Sequence, residues 1–464
     1  MRRIARLTAA DLTNLALEAP DTPMHQAVLA TVEAHPLRGP DGRLDIARVR
    51  AHVESRLDRV PELRQVILRP GLLRGRPLLV DEPGFRIDEH VMSATLPTPG
   101  GEAAALAFAE RELGAVMDRS RPLWAIWLLD GYAPDRFGLL VKLHHAIADG
   151  PAMVNILAQV FDLEPDAPEV SAPPWVPAPP PTGRVLLLDN LATRAGAVAR
   201  AGSVLRHPLR GARRAVTSMH RMLAEYGRRS HAPKTSLNRP VGMGRRVAAV
   251  HASLAEAKTI AHRSGVKLND VFLFVVARSI GRVLESRGET CDGIALHAGV
   301  AVSRASVREA TLSGNHVGSM VVSLPLALQD PVEQLKAIAA SSAIAKTEQQ
   351  PELSTGVMVL MAETGVARAF IRRQQLLNVL TTNLPGPPVP IYLAGARVSS
   401  PVAMAPTAGN VTVSFAALSY ESELTFSVLA DAASWPDFEV LQEAMRASWQ
   451  EISAWAAPDM RQAV

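Results

Sequence analysis

Hydrophobic positions along the chain alternate between helical and strand spacing, and the N-terminal part shows both. Helical spacing covers Ala9–Leu17, Asp45–Arg59, Gly101–Met117 and Pro151–Phe161. Gln26–Glu33 is typical of a strand. Two further apolar runs, Pro122–Asp130 and Phe137–His145, are joined by the turn-rich sequence GYAPDR. We therefore expect these two runs to pair as antiparallel strands.

The C-terminal part repeats this mixture of elements. Helices are predicted over Leu254–Ser264, Asn269–Arg287, Pro331–Ser342 and Trp435–Trp455. Strands are predicted over Ile294–Val302 and Ser319–Leu324, and a hairpin over Val411–Leu418 and Glu423–Leu429 around the sequence SYES. Because no strict strand–helix–strand repeat runs through the chain, the pattern indicates an α+β fold.

A proline-dense and then arginine-rich stretch separates the two parts. Residues 164–181 read EPDAPEVSAPPWVPAPPP, which is typical of an extended linker, and residues 183–229 combine many arginines with apolar residues at helical spacing. Two interpretations of the arginine-rich part stay open: a solvated helical face over the cleft, or a basic helix on an anionic membrane surface. We predict three regions: 1–163, 164–240 and 241–464.

Composition limits the class of protein. The chain has 464 residues, which favours two domains, and with 48% hydrophobic and 20% charged residues it can build sizeable cores. Its single cysteine, Cys291, excludes an intramolecular disulfide framework. Without a signal peptide or a long apolar segment, a cytoplasmic protein is expected. The net charge of +4 is modest, and we expect no nucleic-acid partner.

The candidate chemistry lies where the run Phe137–His145 ends, in the sequence HHAIADG. His144, His145, Asp149 and Gly150 form an H-H-x-x-x-D-G motif. Because successive strand residues point to opposite faces, the two histidines cannot both face one ligand. Helical two-histidine zinc motifs space their histidines four apart around a glutamate, so we expect no metal here.

Two interpretations of this motif remain open from the residues alone. In the first, one histidine is a general base facing a cleft, since a neutral imidazole can accept a proton near pH 7, and its neighbour is structural. In the second, both histidines are satisfied core residues. Pro151 is predicted to open a helix that Gly150 or Asp149 caps, and Asp149 could instead pair with a distant arginine.

Further short motifs occur in a fixed order around it. These are P-L-W (Pro122, Leu123, Trp124), TSLNRPVG (Thr235–Gly242), LNDVFL (Leu268–Leu273, with Asn269 and Asp270), Gly314-Asn315, and TTNLPGPPVP (from Thr381, with Asn383, Pro385 and Gly386). With APDTPMHQAVLATVE near the start, the chain resembles the bacterial wax ester synthase/diacylglycerol acyltransferase family. That family belongs to the condensation-domain and chloramphenicol-acetyltransferase-like superfamily.

The resemblance implies a fold and a reaction. It implies two chloramphenicol-acetyltransferase-like domains with mixed sheets flanked by helices, and an active-site tunnel at the domain interface. It also implies an acyl-CoA-dependent O-acyltransferase that acts on diacylglycerol or a long-chain alcohol, with His145 as general base and His144, Asp149 and Gly150 in support. No cofactor is expected beyond acyl-CoA as co-substrate, and peripheral contact with a membrane or lipid droplet stays open.

The chemistry suits this assignment. A thioester is already activated, and its thiol leaves with a pKa of about 8.5, so the acceptor hydroxyl is the group that needs help. A base that takes its proton contributes roughly 10²–10⁴-fold. Because the chain has no G-x-S-x-G nucleophile motif, we expect direct transfer without an acyl-enzyme.

The remaining motif residues also have structural interpretations. Asn269 and Asp270 lie where a helix should begin and favour capping, and Trp124 favours packing in a core strand. Asn383 and the prolines that follow it favour a rigid crossover, although Asn383 could reach the site.

The chain also departs from its relatives at a few positions. Ala301 and Arg304 differ from the V-P-V-S-x-R sequence of relatives, which leaves the arginine partner of Asp149 open. Leu384 stands where relatives more often have valine, and we expect no effect.

Two other functions compete with the first. One is a condensation enzyme that uses carrier-protein thioesters, which TNLPGPP argues against because peptide-condensation relatives have D-F-G-W-G there. The other is a catalytically silent lipid-binding relative, which the intact His145 and Asp149 argue against.

Overall fold

Two six-stranded mixed sheets, each flanked by helices, form the protein. The computed structural model describes residue 4 and residues 6–71, 73–168, 174–205, 231–303, 317–347 and 365–460. The α+β architecture expected from the sequence is confirmed by these two sheets.

The first sheet is built mainly from the N-terminal half. Its strands lie in the order β11 (Tyr392–Leu393), β12 (Ala396–Met404), β1 (His25–Glu33), β6 (Arg136–His144), β5 (Trp124–Ala133) and β4 (Val91–Thr95). Strands β5 and β6 pair antiparallel, as predicted, and β4 pairs parallel with β5. A separate hairpin consists of β2 (Gln65–Leu68) and β3 (Leu78–Asp81).

The second sheet belongs to the C-terminal half. Its order is β7 (Arg245–Ser253), β14 (Glu423–Asp431), β13 (Val413–Tyr420), β10 (Val379–Pro385), β8 (Ala295–Ser303) and β9 (Val317–Pro325). Strand β10 pairs parallel with both of its neighbours, and β13 with β14 forms the hairpin predicted around SYES.

Ten α-helices lie around the sheets in the described part of the chain. They are α1 (Ala9–Leu17), α2 (Ile46–Glu54), α3 (Gly101–Gly114), α4 (Gly150–Val160), α5 (Gly183–Leu205), α6 (Leu254–Ser264), α7 (Leu268–Ser286), α8 (Pro331–Thr347), α9 (Val366–Ile371) and α10 (Phe438–Met460). None of these helices is long and apolar enough to cross a bilayer. The arginine-rich segment beyond Leu205, Arg304 and Gly314-Asn315 lie outside the described residues.

The strand that carries the histidines runs through the middle of the first sheet. In β6 every residue after Arg136 is buried, including Lys142, which interrupts the apolar run. The Lys142 ammonium lies 2.9 Å from a carboxylate oxygen of Glu112 and 2.8 Å from the Glu112 carbonyl oxygen on α3. This pairing lets a charged side chain occupy a central strand.

Two strands of the C-terminal half depart from the predicted division at residue 241. The chain leaves the second sheet at Pro385 and crosses over, and β11 and β12 then extend the first sheet beside β1. Gly386 lies at this crossover, where a Cβ atom would come within 2.3 Å of the Ser419 carbonyl oxygen. The rigid crossover predicted after Asn383 is therefore present, and part of 241–464 completes the N-terminal sheet.

Three hydrophobic clusters follow from this arrangement. One fills each half, and a third packs both sheets together through residues from six strands and from α3. Leu29, Leu140, Val247 and Val402 represent four of these strands, and Leu129 of β5 and Leu429 of β14 also belong to the cluster. The two sheets are therefore packed against each other near the end of β6.

Candidate active site

The two adjacent histidines lie in different surroundings. His144, the last residue of β6, is fully buried, whereas His145 is partly exposed and lines a cavity between the sheets. The backbone N–H of His144 donates to the Leu123 carbonyl oxygen at 3.0 Å, and that of His145 to the Met24 carbonyl oxygen at 2.8 Å. Strand pairing therefore continues to the end of β6 and fixes both side chains.

His144 belongs to a buried cluster around the carboxylate of Glu18. His144 Nε2 lies 2.9 Å from Glu18 Oε1, and Arg119 donates to Glu18 Oε2 at 2.7 and 3.0 Å. His25 Nε2 lies 3.1 Å from Glu18 Oε1, in a contact too bent to count as a full hydrogen bond. We call Glu18, His25, Arg119 and His144 the Glu18 cluster.

The electrostatics of this cluster hold it in one charge state. Burial alone would raise the pKa of Glu18, but the contacts from His144, His25 and Arg119 outweigh burial and hold the pKa far below its usual range. Burial lowers the pKa of His25 to about 4. Near neutral pH the cluster therefore contains an ionised Glu18, a cationic Arg119 and a neutral His25.

Three members of the cluster have the donor atoms of a metal site. The ligand atoms of Glu18, His25 and His144 all lie within 4.8 Å of one another. However, the Ala146 backbone N–H donates to His144 Nδ1 at 2.9 Å, so a neutral His144 carries its proton on Nε2. That proton points at Glu18 and occupies the position a metal would need, so these residues do not fit a metal ion.

His145 is held from behind by helix α1. Asn14 Nδ2 lies 3.2 Å from His145 Nδ1 and 3.1 Å from the His145 carbonyl oxygen. Because the carbonyl oxygen only accepts, the amide presents its NH₂ group there. Whether His145 Nδ1 accepts or carries a proton depends on the tautomer of the ring.

Asn14 and Glu18 are four residues apart. Residues at this spacing lie on one face of a helix, so α1 and its C-terminal cap contact both histidines from one side. Each histidine therefore has its own contact from the N-terminal segment.

Asp149 and Gly150 start helix α4 beside His145. Asp149 is the N-cap, and its carboxylate accepts from the Ala152 backbone N–H at 2.9 Å, which is one of the two roles the sequence allowed. The carboxylate is buried and also lines the cavity. A Cβ atom at Gly150 would lie 2.8 Å from a methyl carbon of Leu384. A side chain at Gly150 would therefore collide with β10.

The cavity around His145, which we call the histidine chamber, has about 1120 Å³ of space counted to its open mouth. Both halves line it, with Gln26, His145 and Asp149 from the first and Gly299 and Thr381 from the second. A few polar groups among mostly apolar residues therefore line the space around the histidine at the interface of the two sheets, where the family resemblance implied an active-site tunnel.

A second cavity lies on the far side of Gly150. This apolar cavity has about 850 Å³ of space counted to its mouth and is lined by one face of α4 and by strands of both sheets. Its lining is almost entirely hydrocarbon, for example Leu139, Leu157, Phe161 and Ile391. It suits an alkyl chain rather than a polar ligand.

The P-L-W residues lie in the core beside the histidines, not in the chamber. All three are buried, and the Trp124 indole N–H donates to the Leu63 carbonyl oxygen at 2.7 Å. The Trp124 ring also stacks on His90, with 4.7 Å between ring centroids. This placement fits the packing role considered for Trp124.

The structure brings the two asparagine motifs together. Asn383 Nδ2 lies 3.4 Å from Asn269 Oδ1, so β10 is joined to the start of α7. Asp270 accepts from the Lys267 backbone N–H at 3.0 Å, which closes the first turn of α7. Neither Asn269 nor Asn383 lines either cavity described above. Pro385 is exposed, and Gly386 lines the apolar cavity.

Sequence reasoning missed Asn14, Glu18, His25 and Arg119. A partial signal was present, since His25 begins the strand predicted over 26–33 and its register partner across β1 and β6 is His144. Hydrophobic periodicity gives no register between distant strands, so this contact could not be found from the sequence.

Comparison with known proteins agrees with this geometry. The family model described as the wax ester synthase/diacylglycerol acyltransferase catalytic domain matches residues 7–272, and the WS/DGAT C-terminal domain matches residues 313–453. The chain belongs to the wax ester synthase/diacylglycerol acyltransferase family. A protein of Mycobacterium tuberculosis strain H37Rv, provisionally named a diacylglycerol O-acyltransferase, is 31% identical over 97% of both chains. A second protein of that strain with the same provisional name is 29% identical over 78% of both chains.

Solved structures share the fold. The wax ester synthase/diacylglycerol acyltransferase from Marinobacter aquaeolei VT8 superposes with a TM-score of 0.69 at 20% identity, over 98% of this chain and 100% of that one. The starter condensation domain of rhizomide synthetase RzmA, in complex with C8-CoA and Leu-SNAC, gives a TM-score of 0.60 at 14% identity, over 98% and 94%. The two-domain acyltransferase-like fold implied by the motifs is therefore confirmed.

Proposed function

We propose that this acyltransferase moves a long-chain acyl group from acyl-CoA to the hydroxyl group of diacylglycerol or a long-chain alcohol. The observation that carries the proposal is the position of His145, in a chamber between the sheets with an apolar cavity next to it. A largely apolar chamber with a few polar groups, next to hydrocarbon-lined space, suits a long-chain thioester and a lipid alcohol. The provisional names of the mycobacterial relatives support the same reaction.

In the proposed reaction His145 acts as general base on the acceptor. The hydroxyl oxygen attacks the thioester carbonyl while His145 takes its proton, the carbon–sulfur bond then breaks, and the departing thiolate receives a proton to become CoA. The products are an ester and free thiol. Positioning such a base contributes roughly 10²–10⁴-fold to the rate.

The contact from Asn14 bears on this role of His145. A base that acts through Nε2 needs its own proton on Nδ1, as when a carboxylate holds the ring of a catalytic triad. Asn14 presents an N–H group toward His145 Nδ1 instead, and that arrangement favours the other tautomer. The base form therefore requires the Asn14 amide to give up or turn its contact with the ring.

Peripheral contact with a lipid surface fits the insolubility of the proposed acceptor and product. Helix α5 exposes Leu188 and Leu191, at 57% and 52% of their accessible surface. Exposed apolar side chains on a helix can enter the interface of a membrane or lipid droplet.

The test is an assay of the purified full-length protein with palmitoyl-CoA and one acceptor at a time: dioleoylglycerol, hexadecanol or buffer alone. We expect thiol release and ester in equal amounts with at least one acceptor, and a much slower rate in buffer. Turnover of carrier-protein thioesters alone would support the condensation alternative. Binding of palmitoyl-CoA without turnover of any thioester would support the silent lipid-binding alternative.

A further inference from the structure

Four residues line both cavities. Val28, Gly150, Met153 and Leu384 border the histidine chamber on one side and the apolar cavity on the other. We call these four residues the constriction. They form the boundary between the two cavities, so a chain that extends from a reacting atom beside His145 into the apolar cavity has to cross this boundary.

Leu384 is the member of the constriction that comes from the second sheet. It lies on β10, and one of its methyl carbons would be 2.8 Å from a Cβ atom at Gly150. The Leu384 side chain packs with Ala403, Ala416 and Leu418 in a small buried cluster, with Val28 against it. Leu384 and Gly150 therefore approach each other from opposite halves, and the size of one determines the room left beside the other.

The apolar cavity beyond the constriction offers almost no polar partner. Its one phenol, Tyr420, donates from its hydroxyl to the Val398 carbonyl oxygen at 2.9 Å and accepts from the Ile391 backbone N–H at 2.9 Å. Both hydrogen bonds are made within the protein, so the hydroxyl is satisfied without a ligand. A ligand in this cavity is held by hydrocarbon contact alone, which selects an unbranched alkyl chain.

We propose that Leu384 is a specificity-determining residue that sets how well a long alkyl chain passes from the histidine chamber into the apolar cavity. The inference rests on the proposed acyl transfer and adds which residue selects the chain. Leucine is one methylene larger than valine, and the proposal predicts that this difference changes chain selection, whereas no effect is expected from the sequence alone. A single methylene in an apolar pocket changes discrimination by roughly 10-fold or more.

The chain that occupies the apolar cavity belongs either to the thioester or to the acceptor, and two substrate series distinguish them. In the first series, acyl-CoA from C2 to C18 is varied with hexanol as the fixed acceptor. In the second, alcohols from C2 to C18 are varied with butyryl-CoA as the fixed donor. The variants are Leu384→Val, Leu384→Ala and Leu384→Trp in the full-length protein.

Leu384→Trp is expected to lower kcat/KM for chains of C12 and longer by at least 10-fold in one series, while C2 and C4 substrates change less than threefold. Leu384→Val and Leu384→Ala are expected to raise the ratio of long-chain to short-chain kcat/KM in that same series. The series that responds identifies the occupant. Equal loss at all chain lengths, or no change in either series, would overturn the proposal.

Leu424→Ala is the control for a general loss of packing. Leu424 lies on β14, is 1% exposed and lines neither cavity, so its truncation leaves a hole in the second half without touching the constriction. It should lower the melting temperature about as much as Leu384→Ala and leave the chain-length ratio within twofold of the starting protein. A shifted ratio in Leu424→Ala would mean that the ratio reports loosened packing, and would overturn the proposal.

Binding separates failure of this inference from failure of the proposed reaction. The displacement of a bound fluorescent fatty acid, cis-parinaric acid, by hexadecanol or palmitate needs no turnover. If no substrate forms ester, the proposed function fails; tighter binding of C16 ligands in Leu384→Ala and weaker binding in Leu384→Trp would still support the role of Leu384. If esters form but the three variants bind and turn over all chains alike, only the role of Leu384 fails.

Discussion

The two sides of the strand end at His144 and His145 differ in almost every physical respect. Behind the strand, His144 is sealed in the Glu18 cluster, where charged groups meet each other with little water. In front, His145 faces the histidine chamber and is restrained by Asn14. Adjacent residues of one dipeptide thus differ in environment: His144 lies in a buried ionic cluster, and His145 lies at a cavity whose lining is mostly apolar.

Under the proposed function, this difference separates a structural histidine from the proposed base at the end of one β-strand. Alternation sends neighbouring side chains to opposite faces, so a second histidine can anchor the strand end without competing for substrate. The fixed His144 keeps the turn from Ala146 to Asp149 in place, since its Nδ1 accepts the Ala146 backbone N–H. His145, the proposed base, therefore lies next to a turn that this hydrogen bond holds in place.

Replacing Glu18 by alanine tests the buried side with the largest expected effect on stability. Removing one partner from a buried ionic group typically costs 3–5 kcal/mol, and Arg119 is partly exposed and can reach water, so we expect about 3 kcal/mol. Denaturant unfolding measures it.

Asp88→Asn is the matched control for Glu18→Ala because its partner, Arg86, is on the surface and exposed pairs contribute little. Equal losses of stability in the two variants would contradict a structural role for the Glu18 cluster.

Acidification should also lower the stability that the Glu18 cluster contributes to the folded protein. The folded-state pKa of His25 is lowered to about 4, and its unfolded value is 6.5. Between these two pH values His25 is protonated in the unfolded chain and neutral in the folded chain. Stability is therefore lost as the pH falls from 6.5 to 4, by about 3 kcal/mol in total and about 1 kcal/mol by pH 5.5.

The free energies of unfolding of the wild-type protein and of His25→Gln, measured at pH 7.5 and 5.5, give the contribution of His25 to this loss. The pKa of His52 is also lowered to about 4, so His52 contributes to the pH dependence of stability in both proteins. Identical slopes for the two proteins would show that His25 does not titrate as proposed.

A substitution at Asn14 tests the side of the strand end that faces the histidine chamber, with a smaller expected effect. Asn14→Asp places a carboxylate next to His145 Nδ1, where it accepts a hydrogen bond from the Nδ1–H group. The carboxylate therefore favours the tautomer whose Nε2 can act as the base, and it raises the pKa of His145 by roughly one unit. The acid limb of the kcat/KM profile should move to higher pH by about that amount. Asn14→Leu removes the contact without adding charge and serves as the control. Superimposable pH profiles for the two variants would exclude electrostatic control through this position.

Much of the site could be predicted because it depends on local spacing. The run that ends at His144 and His145, the turn after it and Pro151 together specify a strand, a cap and a helix, and the structure has all three. The P-L-W and N-x-P-G-P blocks added the family and through it the fold. These features need only neighbours in sequence.

What the sequence missed depends on register and on packing between distant segments. The pairing of His25 with His144 and the passage of β12 into the first sheet join residues more than 100 positions apart. Leu384 shows the same limit, because its contact with Gly150 joins two segments that are more than 200 residues apart in the sequence. The partner of Asp149 that Arg304 would supply lies outside the described residues.

The most direct test of the division between the two sides is the rate of ester formation by His145→Ala compared with the starting protein, at saturating palmitoyl-CoA and acceptor. A positioned base predicts a loss of roughly 10²–10⁴-fold with an unchanged unfolding midpoint, since the His145 ring lies at the chamber and outside the Glu18 cluster. A His145→Ala variant that keeps most of its activity would contradict the assignment of His145 as the general base.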